Sequence, residues 1–310
     1  MDGRLGFMIV GTPRSGTTLV QRLACEIPGV AVPPETHFLY FFAADLYRRR
    51  RFPLDAEAIR AEVELYLELG NSRDLEVDPA AIAEDLGGEC RSILDLFAAL
   101  VRHLAGPAEV YGEKTPAHVV WWDKLAAAAP WMKFVAVVRH PAAVVASWVE
   151  AWPHESWAAA AERWRLDQLR IAEMARALGP RRALVLRYED VVGDPDGARR
   201  AVAQLLGRDA PAVAARPNRP LYLPWETWKR RSLECIDSAR ADAWRTALSP
   251  EQVDHVTRVC REGMAAFGYD PRAAAGEAAG RDERKHAADV ERCRREREAK
   301  LREASETPVD

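Results

Sequence analysis

The stretch Gly11-Thr-Pro-Arg-Ser-Gly-Thr-Thr18 places one guanidinium and several hydroxyls around two glycines. Arg14, Ser15, Gly16, Thr17 and Thr18 are the material of an anion cradle, in which backbone N–H groups, hydroxyl donors and a cation converge on a phosphate or sulfate. The frame Gly11-x4-Gly16 matches the opening of the triphosphatase loop G-x-x-x-x-G-K-[ST], but Thr17 stands where the lysine belongs. The charge that would serve β- and γ-phosphates is absent there, which argues against ATP hydrolysis. A second cation–hydroxyl pair is Arg139 with Ser147, suited to a guanidinium fork on a phosphate with one added donor. Glu35, His37, Lys114 and His118 offer the remaining chemistry. A carboxylate or imidazole can take a proton, and an ammonium can stabilise developing negative charge.

Each of these residues lies where one element should end and another begin. Phe7 to Val10 is a short apolar run of the kind that forms a strand buried on both faces. After the glycine loop, Leu19, Val20, Leu23 and Ala24 recur at helical spacing. Val30 to Val32 predicts a short strand stopped by Pro33-Pro34, so Glu35 and His37 emerge at a strand end, where open α/β sheets hold ligands. The apolar start of Val110-Tyr-Gly-Glu-Lys114 puts Lys114 just past another strand. Phe134 to Val138 is a continuous apolar run ending in Arg139, and Pro141 then opens a helix that carries Ser147. Residues 43–107 read as an all-helical insertion, a lid or an acceptor wall, broken at Gly70-Asn-Ser72 and Gly87-Gly88. Ala183 to Asp190 reads as a further strand running into a polar corner. Beyond a domain of residues 1–275, residues 276–310 form a charged tail, a solvated helix held by ion pairs or a disordered segment. The fold class expected is α/β: a P-loop-like parallel sheet flanked by helices, with the helical insertion and the charged C-terminal tail.

Pro13-Arg-Ser-Gly-Thr-Thr18 resembles the 5′-phosphosulfate loop of the nucleotide-dependent sulfotransferases, and Arg139-His-Pro141 with Ser147 resembles their 3′-phosphate-binding segment. Glu35-Thr-His37 is similar to a Glu-Thr-Arg of the tyrosylprotein branch, with His in place of Arg. The resemblance extends over residues 5–271 and rests on these short motifs. It implies adenosine 3′-phosphate 5′-phosphosulfate (PAPS) as donor co-substrate, with PAP as product and no metal required. It implies Glu35 as catalytic base, Lys114 and Arg14 on the transferring sulfuryl group, and Ser15, Gly16, Thr17 and Thr18 around the donor phosphate. Arg139 and Ser147 would take the 3′-phosphate, and Tyr188 of Arg187-Tyr-Glu-Asp190 would line the nucleotide site. The family closes a basic C-terminal loop over the nucleotide, which makes Lys229, Arg230 and Arg231 candidates, although its glycine-rich form Arg-Lys-Gly-x-x-Gly is absent. Some cytosolic members use a histidine base in a Lys-Thr-His context. Here Pro116 and Ala117 intervene, so His118 is expected on the following helix as a surface or cap histidine; His37 and His118 remain acceptor-side candidates. The activity implied is in-line sulfuryl transfer to a hydroxyl, or an amine, of a small-molecule, natural-product or sugar acceptor.

Composition narrows the partners. Lys+Arg 44 against Asp+Glu 47 gives a net charge of −3 and no basic field for nucleic acid. Cys25, Cys90, Cys235, Cys260 and Cys293 are odd in number and form no CxxC pair, so neither a disulfide framework nor a zinc site is expected. No stretch approaches the roughly 20 apolar residues of a membrane span, and the first residues lack a leader pattern. The expectation is a cytoplasmic protein, bacterial by its wealth of Ala and Arg; its oligomeric state is open. Two other readings stay open: a kinase or NTPase with a degenerate P-loop, and a non-catalytic nucleotide-binding module. The presence of both Glu35 and Lys114 weighs against the second.

Overall fold

Strand β1 (Leu5–Gly11) sends Phe7 and Ile9 to one side and Met8 and Val10 to the other, and all four are fully buried. A strand apolar on both faces needs helices on both, which is the packing of an interior parallel strand. The computed structural model describes residues 4–210, 220–233, 236–271 and 283–310. After β1 the chain forms α1 (Thr17–Cys25), β2 (Val30–Ala31), α2 (Phe38–Phe41), α3 (Ala43–Arg49), β3 (Leu54–Asp55), α4 (Ala56–Leu67), α5 (Pro79–Asp85), β4 (Glu89–Cys90) and α6 (Ile93–Ala105). It continues through β5 (Val110–Lys114), α7 (Trp122–Ala128), β6 (Lys133–Val138), α8 (Pro141–Ala151), α9 (Trp157–Leu178), β7 (Ala183–Arg187), α10 (Tyr188–Gly193) and α11 (Pro195–Leu206). Last come α12 (Trp244–Ala247), α13 (Pro250–Ala266) and α14 (Glu283–Glu306).

The main sheet is parallel throughout, in the order β2-β5-β1-β6-β7. Its two faces carry separate apolar clusters. One joins Met8, Val10, Phe134 and Val138 to α6, α8, α9 and α13; the other joins Phe7, Ile9, Val135 and Val137 to α1, α10 and α11. The expected α/β sheet flanked by helices is therefore the fold found. All five strands point their carboxyl ends the same way, and at or just past the ends of β1, β2, β5, β6 and β7 stand Arg14, Glu35, Lys114, Arg139 and Tyr188. Ligands gather at that edge of such a sheet.

Three local expectations change. The segment read as all-helical also holds a short antiparallel ladder, Leu54 opposite Cys90 and Asp55 opposite Glu89, within the insertion. The last strand stops at Arg187, and Tyr188 already begins α10. The described part of the charged tail is helical from Glu283 to Glu306, but one face of it is buried rather than solvated. Arg297 is 1% exposed and bonds Asp167 of α9, Arg294 bonds Glu162 at 2.7 Å, and beyond the helix Val309 accepts from Leu94 N–H at 2.8 Å. Ion pairing replaces the apolar stripe that would have announced such packing.

Candidate active site

The glycine loop Gly11 to Gly16, the candidate donor loop, owes its shape to two left-handed residues. Arg14 (φ 73°) and Gly16 (φ 93°) turn the chain so that Ser15 N–H bonds Thr12 O at 3.1 Å and α1 starts at Thr17. Gly16 offers no side chain to cap α1, so the first amides of that helix stay available to an anion. The Ser15 hydroxyl is buried and finds no partner among the described residues. Arg14 and His37 (φ 52°) are the non-glycine residues of the described chain in the left-handed region, and each costs about 1–3 kcal/mol of backbone strain. Both line the same cavity.

That cavity measures about 910 Å³ and collects residues from well-separated stretches. On one side Arg14 Nε donates to Ser147 Oγ at 3.2 Å, and Arg139 Nη1 donates to Arg14 O at 3.2 Å. The Arg139 guanidinium lies 4.2 Å from the centre of the Tyr188 ring, and its buried Nε has no partner among the described residues. Burial, then the charge of Arg139, pulls Arg14 down to about 10, and burial likewise lowers Arg139. Two desolvated guanidiniums beside an orphan hydroxyl and a bare helix start suit a ligand with more than one negative charge. Gly11, Thr12 and Pro13 shape this side without contributing a charge.

On the other side lies an alternating set of charges. Glu35 Oε1 accepts from Lys114 Nζ and, at 2.6 Å, from Lys229 Nζ, while its Oε2 is 3.3 Å from His37 Nε2. Lys229 also bonds Glu226, and Lys114 Nζ is 3.4 Å from Thr18 Oγ1 of the donor loop. Burial alone would raise the Glu35 carboxyl, but Lys114, Lys229 and His37 outweigh it and hold it far below the usual carboxylate range. Burial pulls Lys114 down to about 8, against the opposing pull of Glu35. Burial lowers His37 as well, and Lys229 is raised because its two carboxylate partners exceed the cost of its burial. Behind this set Glu113, fully buried, accepts from Thr36 Oγ1 (2.9 Å) and Thr115 Oγ1 (2.6 Å) and pairs with His118 Nδ1 (2.9 Å). It ties the Glu35 loop to the end of β5.

The residues singled out from the sequence thus divide. Arg14, Gly16, Thr17, Thr18, Glu35, His37, Arg139, Ser147 and Tyr188 line the cavity, Lys114 reaches it through Glu35 and Thr18, and Ser15 sits beneath the loop. His118 is not the surface or cap histidine expected. The chain after Lys114 makes a 3-10 turn, Pro116–Trp121, whose residues are all buried, so His118 faces Glu113 and the Phe97 ring (5.8 Å) and stays outside the cavity lining. Arg230 is exposed and outside the lining, and the Arg231 side chain lies outside the described residues. Sequence reading missed Arg240, whose carbonyl accepts from Arg139 Nη2 at 2.9 Å, and Trp152, which joins Trp225 and Trp228 of the Trp-rich segment in one tryptophan wall.

Residues 7–212 match the model of the sulfotransferase family, a span that holds both the donor loop and the Arg139–Ser147 pair. The chain is 27% identical over 292 residues to nodulation protein NoeE of Sinorhizobium fredii, covering 84% of this chain and 65% of that protein's length. Its fold is similar to the sulfotransferase domain of the Synechococcus PCC 7002 olefin synthase (TM-score 0.58, 24% identity, 87% of this chain and 98% of that one). It is also similar to a sulfotransferase from Alicyclobacillus acidocaldarius (TM-score 0.51, 15% identity, 86% and 97%). With the family match running through the carboxyl ends of all five sheet strands, from Arg14 to Tyr188, the chain belongs to the sulfotransferase family.

Proposed function

We propose that the chain transfers a sulfuryl group from PAPS to a hydroxyl, or an amine, of a small-molecule acceptor, with Glu35 as the base. The observation that carries this reading is the meeting of Glu35, Lys114 and Thr18 at the cavity that the paired guanidiniums and the tryptophans also line. The donor supplies an activated sulfate, which needs a cradle for two phosphate positions and a cation near the transferring group. Arg14, Ser15, Thr17, Thr18 and the first amides of α1 suit the 5′ end, and Arg139 with Ser147 suits the 3′-phosphate. Tyr188 packs against Gly16 and the Arg139 guanidinium and keeps the two arms in register.

Glu35 accepts the acceptor's proton and Lys114 stabilises negative charge that develops as the sulfuryl group leaves. Losing one such stabilising group costs about 10²–10³ in rate. The acceptor side is lined by His37, Asn71, Ala117, Trp225 and Trp228, and Asn71 comes from the helical insertion. Flat indole faces beside a few polar groups favour a bulky natural product or a sugar over a peptide.

Calorimetric titration with PAP, and separately with ATP and Mg²⁺, tests the donor assignment. Tight PAP binding without metal, lost in Arg14→Ala and Arg139→Ala, is the expected result. ATP binding in preference to PAP would overturn it.

A further inference from the structure

Glu35 is touched by two ammonium groups, and they are not equivalent. Lys114 arrives from the end of β5 and also approaches Thr18 of the donor loop. Lys229 arrives from the 3-10 turn Thr227–Leu233, and its second partner is the buried carboxylate of Glu226, whose other oxygen accepts from Leu223 N–H at 2.9 Å. Its position in a basic C-terminal stretch suggests a nucleotide ligand, yet its neighbours are two carboxylates. A carboxylate carrying two cations is a weak proton acceptor, and one stripped of both while buried would take a proton from the medium. A base that must be ionised and still reactive needs one cation to stay and one to leave.

We propose that Lys229 is a positioning residue for the base: it stays on Glu35, anchored by Glu226, when Lys114 turns toward the sulfuryl group. The proposal rests on the reading of Glu35 as base. In the step served, the acceptor's proton passes to Glu35 while its oxygen forms the new bond to sulfur. The bond from sulfur to the 5′-phosphate oxygen breaks, and its electron pair stays on that phosphate. Lys229 keeps the carboxylate aimed and charged until the proton arrives, and Glu226 offsets part of the lysine's charge so that Glu35 retains basicity. The other charged groups that face Glu35 are His37 on its own loop, Arg14 from the donor loop, and Glu113 with His118 beyond His37.

The test follows the Glu35 carboxyl by ¹³C NMR in the PAP-bound protein, its resonance identified by loss in Glu35→Gln. In Lys229→Met the titration midpoint rises by about one pH unit or more, a tenfold change in proton affinity, whereas Lys229→Arg stays near wild type. Lys229→Gln gives the same comparison should the methionine variant not fold. PAP affinity by calorimetry stays near wild type in the charge-removing variants. An unmoved midpoint, or an order-of-magnitude loss of PAP affinity, overturns the proposal. Slow sulfuryl transfer from PAPS to water separates the two readings. If Glu35→Gln transfers as fast as wild type, the base assignment fails and the proposal with it. If Glu35→Gln is inactive while the midpoint in Lys229→Met does not move, the role of Lys229 fails alone.

Discussion

The Trp164 indole N–H donates to the main-chain oxygen of Arg139 at 3.0 Å, and about one turn further along α9 the Gln168 amide donates to Thr12 Oγ1 at 3.1 Å. A single helix thus holds the two strand-end arms, at Thr12 and Arg139, from beneath. Its register against the sheet sets how far apart those arms stand.

Trp164→Phe keeps most of the buried ring and removes the donor. It leaves the Arg139 carbonyl buried without its partner, at a cost of about 1–3 kcal/mol. We expect lower stability in urea and weaker PAP binding by calorimetry. Full stability together with loosened PAP binding would assign the bond to site geometry alone.

Gly16 occupies φ 93°, and a Cβ there would stand 2.3 Å from Tyr188 Cδ2. Gly16→Ala therefore meets both backbone strain, about 1–3 kcal/mol, and a ring that cannot retreat without leaving Arg139. PAP affinity is expected to fall sharply with a lowered melting temperature. Adding Tyr188→Ala removes the clash but not the strain, so the double variant should regain only part of the stability.

Burial pulls Lys114 down to about 8, and the form needed at a leaving sulfuryl group is the protonated one. As pH rises through that value the free enzyme loses the charge, so kcat/KM for PAPS should decline above about pH 8, read by transfer to water. Lys114→Arg keeps its charge across the accessible range, so any activity it retains should lack that alkaline decline.

Asp167 of α9 is bonded by Arg297 of α14 and, at 3.0 Å, by Arg163. Arg297→Met leaves the buried carboxylate with one partner, and breaking such a pair costs about 3–5 kcal/mol, with Arg163 keeping the loss near the lower figure. The double variant Asp167→Asn/Arg297→Met should recover much of it. Urea denaturation of the three proteins decides the matter.

What the sequence disclosed was local in character. The glycine loop between β1 and α1 is legible because glycine, hydroxyls and arginine lie within eight consecutive residues, and strand and helix signals flank them on either side. Arg139 and Ser147 are legible for the same reason, being placed by one strand end and the helix that follows. The burial of His118 was not, because it depends on a 3-10 turn folding under α6 rather than on any spacing near the residue. Lys229 lies 194 positions from the carboxylate it pairs with, and no periodic pattern links the two. The docking of α14 was hidden because its buried face carries Arg297, where sequence patterning looks for a leucine, and an exposed Arg294 adds a second ion pair to α9.

The strand order has a consequence for how the chain reaches its fold. β1 lies at the centre of the sheet, but its two neighbours, β5 and β6, follow it by more than a hundred residues. At translation speeds of about 5–20 residues per second, an apolar segment meant for the interior waits several seconds with both edges unpaired. Helix α1 can cover one face in that interval, since the chain between them is short. The other face has no partner until α6 and the segments beyond it are made. The same centrality that lets one strand present the donor loop to both neighbours makes that strand the most exposed to chaperones, and to aggregation, while the ribosome is still at work.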